Sequence, residues 1–239
     1  MPSFCPNDLK LGVPTDPYPQ NLYEKGIMSI LPIFSSGNST EYLEEQGIFR
    51  ILIIRPGETI YDRERHIQGN LDLHLTKTGQ QEAHQIAREL DQENLEMIYS
   101  SPNVSALETA DRISAHLRIP RKILKEFRNQ DQGLWEGMRV AEIQQHQPRI
   151  YRCAANAPDA ISPPNGETFE NVQKRIQSTI QWILKRHHSG TIGLVLCEPL
   201  ASIVRCYLKS EAAKNLWDFI GKHGLWEPVE VEPSANLRN

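Results

Sequence analysis

Two short polar stretches follow apolar runs in this chain, and both carry side chains that can do chemistry. Arg55-Pro56-Gly57-Glu58-Thr59 comes directly after the apolar run 49–54, and Cys197-Glu198-Pro199 comes directly after the run 191–196. An arginine binds anions, a glutamate acts as a general base or a metal ligand, and a cysteine at a helix start can become a reactive thiolate. These two stretches are therefore the first candidates for a functional site.

Each of these side chains also has a structural interpretation. Arg55 can form a buried ion pair with Glu198 or with Asp62, and we favour this pairing over anion binding. Glu198 precedes a helix opened by Pro199, where a carboxylate is stabilised by the helix dipole, and we favour that role for it. Cys197 follows a buried strand, so we expect an inert core thiol rather than a nucleophile.

Strands and helices alternate around these stretches. Apolar, β-branched runs predict buried strands over 49–54, 95–99 and 191–196, with a short strand near 123–124. Helical periodicity predicts helices at 76–90, at 104–117, at 139–155 in two pieces broken at Pro148, along the stripe 169–184, and at 199–208. This alternation predicts an α/β fold, a single three-layer domain with a mostly parallel sheet and helices on both faces. Sites in such sheets form beyond the carboxyl ends of the strands, where both polar stretches lie.

The 239 residues suit one domain with extensions. Residues 1–47 are rich in proline and lack periodicity, so they form an N-terminal extension to a domain at 48–210. Residues 211–239 are interpreted as a C-terminal extension packed on that domain. Its Trp217 and Trp226 are expected to pack on the sheet, with a dimer or partner surface as the alternative.

Composition limits the partners and the compartment. Lys and Arg number 26 against 30 Asp and Glu, a net charge of −4, which argues against nucleic acid and anionic membranes as partners. No apolar run approaches the length of a membrane helix and no secretory signal is visible, so we expect a cytoplasmic protein.

A metal site built from Asp62, His66 and Glu198 is one alternative, but the chain lacks a dense ligand motif. We therefore expect no metal and no cofactor.

Five motifs occur in a fixed order along residues 48–208. They are Arg55-x-Gly57-Glu58-Thr59; Gln68-Gly69 with Asp72 and Leu75-Thr76-x-x-Gly79; Ser100-Ser101-Pro102 with Ala106-Leu107-Glu108-Thr109-Ala110; Gly133-x-Trp135-Glu136-Gly137; and Pro164-x-Gly166-Glu167-Thr168. Together they resemble the histidine phosphatase superfamily, also called the phosphoglycerate mutase-like family. Each motif alone is weak, but five in the correct order are specific.

The resemblance implies phosphoryl transfer by a nucleophilic histidine, assisted by a second histidine, two arginines and an acidic residue. Four of these positions differ in this chain: the nucleophile falls at Pro56, the second histidine at Glu198, the second arginine at Ser105 and the acid at Asn129. Of the family's catalytic set only the first arginine, Arg55, remains. None of the eight histidines lies at either strand end.

These losses lead to the expectation of a catalytically inactive member, a pseudophosphatase with a binding or interaction role. Arg55, Asp62 and Glu198 are the candidate ligand-binding residues, and Asp62 replaces an asparagine of the family. The partner is an unknown small molecule or protein, with a second copy of the chain as one candidate. Two alternatives stay open: an enzyme using Glu198 or Asp62 as base and Arg55 as anchor, and residual phosphatase or mutase activity.

Overall fold

A computed structural model describes residues 49–156, 162–211 and 221–231 of the chain. All of them belong to one compact unit, residues 46–239. The N-terminal extension predicted at 1–47 lies outside the described residues, as does Trp217.

The described residues form five strands and seven α-helices. The strands are β1 (Phe49–Ile54), β2 (Leu95–Ser100), β3 (Arg121–Ile123), β4 (Gly190–Val195) and β5 (Trp226–Val231). The helices are α1 (Ile60–Glu64), α2 (Lys77–Glu89), α3 (Val104–Leu117), α4 (Val140–His146), α5 (Pro148–Asn156), α6 (Phe169–Arg186) and α7 (Leu200–Leu208). Short 3-10 turns lie at Leu90–Gln92, Lys125–Phe127 and Gly133–Trp135.

One sheet joins the five strands in the order β3-β2-β4-β1-β5. β1 runs parallel to β4, with Ile54 opposite Val195, and only β5 runs antiparallel to its neighbour. The carboxyl ends of β1 and β4 therefore lie side by side, which brings the two polar stretches to the same edge of the sheet.

Helices cover both faces of the sheet because β1 is apolar on both sides. Phe49, Ile51 and Ile53 point to the face that α6 and α7 cover, while Leu52 and Ile54 point to the face that α2 and α3 cover. The three-layer α/β fold predicted from the sequence is confirmed.

Several element boundaries follow local signals in the sequence. α3 spans the predicted 104–117, and Pro148 opens α5, a position that suits proline because its missing N–H has no partner there in any case. α1 was not predicted. It is only five residues long, and a capping box between Thr59 and Asp62 defines its start.

The last strand comes from the segment interpreted as a C-terminal extension. β5 pairs with β1 along its whole length, and Trp226 lies opposite Ile54. The indole N–H of Trp226 donates to Glu89 of α2. This segment therefore contributes an edge strand to the sheet.

Candidate functional site

Arg55 and Glu198 meet at the carboxyl end of the sheet. The Nε atom of Arg55 donates to Oε1 of Glu198 at 2.5 Å, and the two side chains are only 7% and 6% exposed. The Nη1 atom of Arg55 donates to Oε1 of Glu227, on β5, at 3.0 Å. Two carboxylates thus hold the guanidinium that the sequence placed at the centre of the site.

Glu198 also binds the start of α7. Its carboxylate accepts hydrogen bonds from the hydroxyl of Ser202 at 2.9 Å and from the Ser202 N–H at 3.2 Å. Burial raises the pKa of Glu198, while Arg55 and Ser202 oppose that rise. The Glu198 carboxylate therefore takes part in the ion pair with Arg55 and also binds the first turn of α7. These are the two structural interpretations that the sequence suggests for this residue.

Glu227 is a site residue that the sequence analysis missed. It links Arg55 to Arg205 of α7, whose Nε donates to Glu227 Oε2 at 3.0 Å. Burial alone would raise the pKa of Glu227, but hydrogen bonds from both arginines lower it. No local signal marks Glu227, because it reaches Arg55 only through the long-range pairing of β5 with β1.

Pro56 is buried in the segment that follows β1. Its carbonyl oxygen accepts the N–H of Gly224 at 2.7 Å, and the Arg55 N–H donates to the carbonyl of Leu225 at 2.8 Å. These bonds continue the β1–β5 pairing beyond the end of β1.

Ser105 faces Cys197 inside the protein. The hydroxyl oxygen of Ser105 and the sulfur of Cys197 are 3.6 Å apart, and both residues are buried. Burial raises the pKa of the Cys197 thiol to about 12, so this thiol stays protonated near neutral pH. The position that the resemblance assigns to a second arginine therefore holds a small neutral contact.

Asn129 acts as a hydrogen-bond donor between two loops. Its Nδ2 donates to the carbonyl oxygens of Gly69 at 2.9 Å and Glu198 at 2.8 Å, and the residue is fully buried. An ionised carboxylate has no proton to donate, so an acid in this place could not make these two bonds.

Asp62 and His66 do not join the Arg55–Glu198 pair. Asp62 accepts from the N–H and the hydroxyl of Thr59 at the start of α1, and burial raises its pKa against those bonds. His66 bonds the carbonyl of Gly137 through Nδ1 and Arg139 through Nε2. The conceived Asp62–His66–Glu198 metal site is not assembled: no group of three His, Cys, Asp or Glu residues suited to a metal occurs among the described residues.

The fold and the motif positions agree with a known family. A family model for the histidine phosphatase superfamily (branch 1) matches residues 51–236, so the chain belongs to this superfamily. The resemblance seen in the motifs is thereby confirmed.

No helix in the described part of the chain is long and apolar enough to cross a membrane.

Three similar proteins illustrate the match. Phosphoserine phosphatase 1 of Hydrogenobacter thermophilus is 26% identical over 79% of this chain and 89% of its own length. Phosphoglycerate mutase-like protein 4 of Arabidopsis thaliana is 30% identical over 64% of this chain and 67% of its own. The solved structure of Bacillus stearothermophilus YhfR is 30% identical, covers 77% of this chain and 92% of that chain, and superposes with a TM-score of 0.68.

Proposed function

We propose that this chain is a catalytically inactive member of the histidine phosphatase superfamily that acts as a binding or interaction protein. One observation carries the proposal. Arg55, the one cationic residue retained from the family's catalytic set, is buried and bound by Glu198 and Glu227. A guanidinium engaged in this way is not available to a phosphate.

The nucleophile position supports the same conclusion. Pro56 has no side-chain nucleophile, and its carbonyl oxygen is bonded to Gly224. Ser105 and Asn129 make neutral contacts where the family pattern calls for a cation and an acid. The chemistry that forms a phosphohistidine has no histidine at this strand end.

Electrostatics also disfavour a phosphate ligand. A carboxylate about 4 Å from a phosphate oxygen costs roughly 4 kcal/mol per charge pair at an effective dielectric near 20. The cleft is therefore suited to a ligand other than a phosphate dianion.

A second candidate is an enzyme with different chemistry in the same cleft. Burial raises the pKa of both Glu198 and Asp62, and carboxyl groups with raised pKa values are typical of general acids and bases. Arg55 would then anchor the substrate. Against this candidate, both carboxylates are already bonded within the protein, to Arg55 and to Thr59.

Phosphate release from a panel of phosphomonoesters, including phosphoserine and phosphoglycerates, tests the proposal. Wild-type protein is compared with Arg55→Ala, and with Arg50→Ala as a matched control, because Arg50 lies on β1, the strand that leads into Arg55, and pairs with Glu93. We expect no phosphate release above the Arg55→Ala background from wild-type protein or from Arg50→Ala. Release that needs Arg55 but not Arg50 would overturn the proposal and restore the family activity suggested by the relatives' names.

The two candidates are separated by Glu198→Gln and Asp62→Asn. If the cleft only binds, neither substitution removes a turnover, since none is present. Turnover of any panel compound by wild-type protein that either substitution abolishes, with folding intact by circular dichroism, would favour the second candidate.

A further inference from the structure

An exposed tryptophan lies beside the outer edge of the sheet. Trp182, on the outward side of α6, is 39% exposed, and its ring meets the ring of Tyr99 edge-on at a centroid distance of 6.1 Å. Tyr99 is itself fully buried and bonded to His187. The indole is therefore fixed in place, which lowers the entropy lost when a partner covers it.

Two cations flank this ring. The Nζ atom of Lys122 lies 4.9 Å from the centroid of Trp182, and the guanidinium carbon of Arg186 lies 5.6 Å from it. Neither cation forms an ion pair with a carboxylate of the described residues, whereas Arg121, next to Lys122, pairs with Asp111 of α3. Within the part of the chain that the structure describes, both charges lack a carboxylate partner that would compete with an anionic ligand.

The adjacent strand is open on its outer side. β3 is the last strand of the sheet, and within the described residues no strand pairs with its free edge. Side chains alternate across a strand, so Lys122 points to the α6 face and Ile123, which is 43% exposed, points to the α3 face with Arg121. The edge offers backbone hydrogen bonds, an apolar contact on one face and cations beside an aromatic ring on the other.

We propose that this edge, made of β3, Trp182 and Arg186, is a docking surface for an extended acidic segment of a partner protein. The segment adds a strand beside β3, places carboxylates against Lys122 and Arg186, and covers Trp182 and Ile123 with apolar atoms. Charge decides between occupants. A second copy of this chain would bring its own cations against these, and like charges on paired strands repel. The inference does not depend on the state of the Arg55 cleft.

Fluorescence anisotropy with labelled peptides tests this surface on the full chain. The probes are a short synthetic peptide in which Glu and Val alternate and its counterpart in which Lys replaces Glu. We expect saturable binding of the Glu peptide, weakened by salt, and no binding of the Lys peptide. Trp182→Ala and the double variant Lys122→Glu/Arg186→Glu should each weaken binding of the Glu peptide about tenfold or more.

Two control variants test whether any surface substitution weakens peptide binding. Lys174→Glu reverses an exposed cation elsewhere on α6, and Leu134→Ala removes an exposed apolar side chain elsewhere, so both should bind like wild type. The charge-reversed double variant should gain binding of the Lys peptide. The proposal would be overturned if the Glu peptide did not bind, or if Trp182→Ala and the double variant bound it as tightly as wild type does. The proposal would also be overturned if sedimentation showed that the wild-type protein is a dimer and that Trp182→Ala is a monomer. That result would mean that a second copy of the chain occupies this surface.

Discussion

Two buried charges, on Arg55 and Glu198, depend on each other. Each side chain is almost fully removed from water, so each charge needs a counter-charge nearby: Glu198 has Arg55 at 2.5 Å, and Arg55 has Glu198 and Glu227. Two hydrogen bonds from Ser202 complete the surroundings of the carboxylate. The pair is consequently a structural feature whatever ligand the cleft binds.

Replacing Arg55 by Ala is expected to lower the free energy of unfolding by about 3–5 kcal/mol, since it leaves Glu198 buried without its partner. Arg50→Ala, which breaks a half-exposed pair with Glu93, should cost only about 0–1 kcal/mol. Urea unfolding followed by circular dichroism measures both. Equal costs for the two variants would mean that the Arg55–Glu198 pair is far better solvated than its burial indicates.

Glu198 and Glu227 are expected to change the free energy of unfolding in opposite directions as the pH rises. A raised pKa means that the folded state holds the proton more tightly, so Glu198 adds stability below its ordinary value of 4.5 and loses it as the pH rises through the folded value. Glu227, whose pKa is lowered, adds stability above 4.5 and loses it as the pH falls through its folded value.

Urea unfolding across the acidic range, with Glu198→Gln and Glu227→Gln each subtracted from wild type, isolates these contributions. The Glu198 difference should fall as the pH rises above 4.5, and the Glu227 difference should fall as the pH drops below 4.5. Two difference curves whose slopes with pH have the same sign would contradict the assignment.

The pairing of Arg55 with Glu198 was predictable because both residues follow parallel strands, and parallel strands end at one edge. The contribution of Glu227 was not, since nothing local indicates that Glu227 lies beside Arg55. Only the register of β5 against β1 shows it.

Among the elements, β1 and α2 are joined by a close backbone approach. A Cβ atom added to Gly57 would lie 2.1 Å from the carbonyl oxygen of Gly79, and one added to Gly79 would lie 2.1 Å from the carbonyl oxygen of Glu58. The glycines let the chain leaving β1 contact the first turn of α2. This contact fixes where the strand end lies.

Gly79→Ala should therefore destabilise the protein, although Gly to Ala within a helix ordinarily stabilises it by about 1 kcal/mol. Gly193→Ala in β4 is the control, because its added Cβ would lie 3.2 Å from the side-chain tips of Ile54 and Leu95 and no backbone atom is among its nearest neighbours. Thermal unfolding should place Gly79→Ala well below both wild type and Gly193→Ala. A Gly79→Ala protein as stable as wild type would show that the two segments can separate at little cost.

Periodicity predicted most elements and missed two. Long helices such as α3 and α6 were evident because each buries a continuous apolar stripe. The five-residue α1 is too short for a stripe, and β5 contains Pro228 and two glutamates, which weaken any strand signal. Both missed elements lie near the candidate site. There, long-range contacts rather than the local sequence preference determine the secondary structure.

At the scale of the whole molecule, the sheet and the motif order match the superfamily. Our proposal is that Pro56, Ser105 and Glu198 stand where the family pattern has catalytic side chains. The superfamily could be predicted from motif order. A binding role could not be deduced in the same way, because function depends on the site rather than the fold.

Restoring three side chains is expected to create phosphatase activity. The variant Pro56→His/Ser105→Arg/Glu198→His retains Asn129, whose amide bonds two loops. It should release phosphate at least about tenfold faster than the control variant that keeps Pro56 and carries only the other two substitutions. Circular dichroism confirms folding of both. Phosphate release by the control as fast as by the triple variant would show that a nucleophile other than residue 56 works in this cleft.

The place of β1 in the sheet determines the order in which this sheet can be completed during synthesis. β1 is the first described strand to leave the ribosome, yet its two neighbours begin only at Gly190 and Trp226. The apolar residues of β1 therefore have no strand partner while most of the domain is translated. Pairing between strands so far apart in the sequence slows folding. A nascent or truncated chain that stops before Gly190 would expose an unpaired apolar strand, the kind of segment that chaperones bind and that aggregates when they do not.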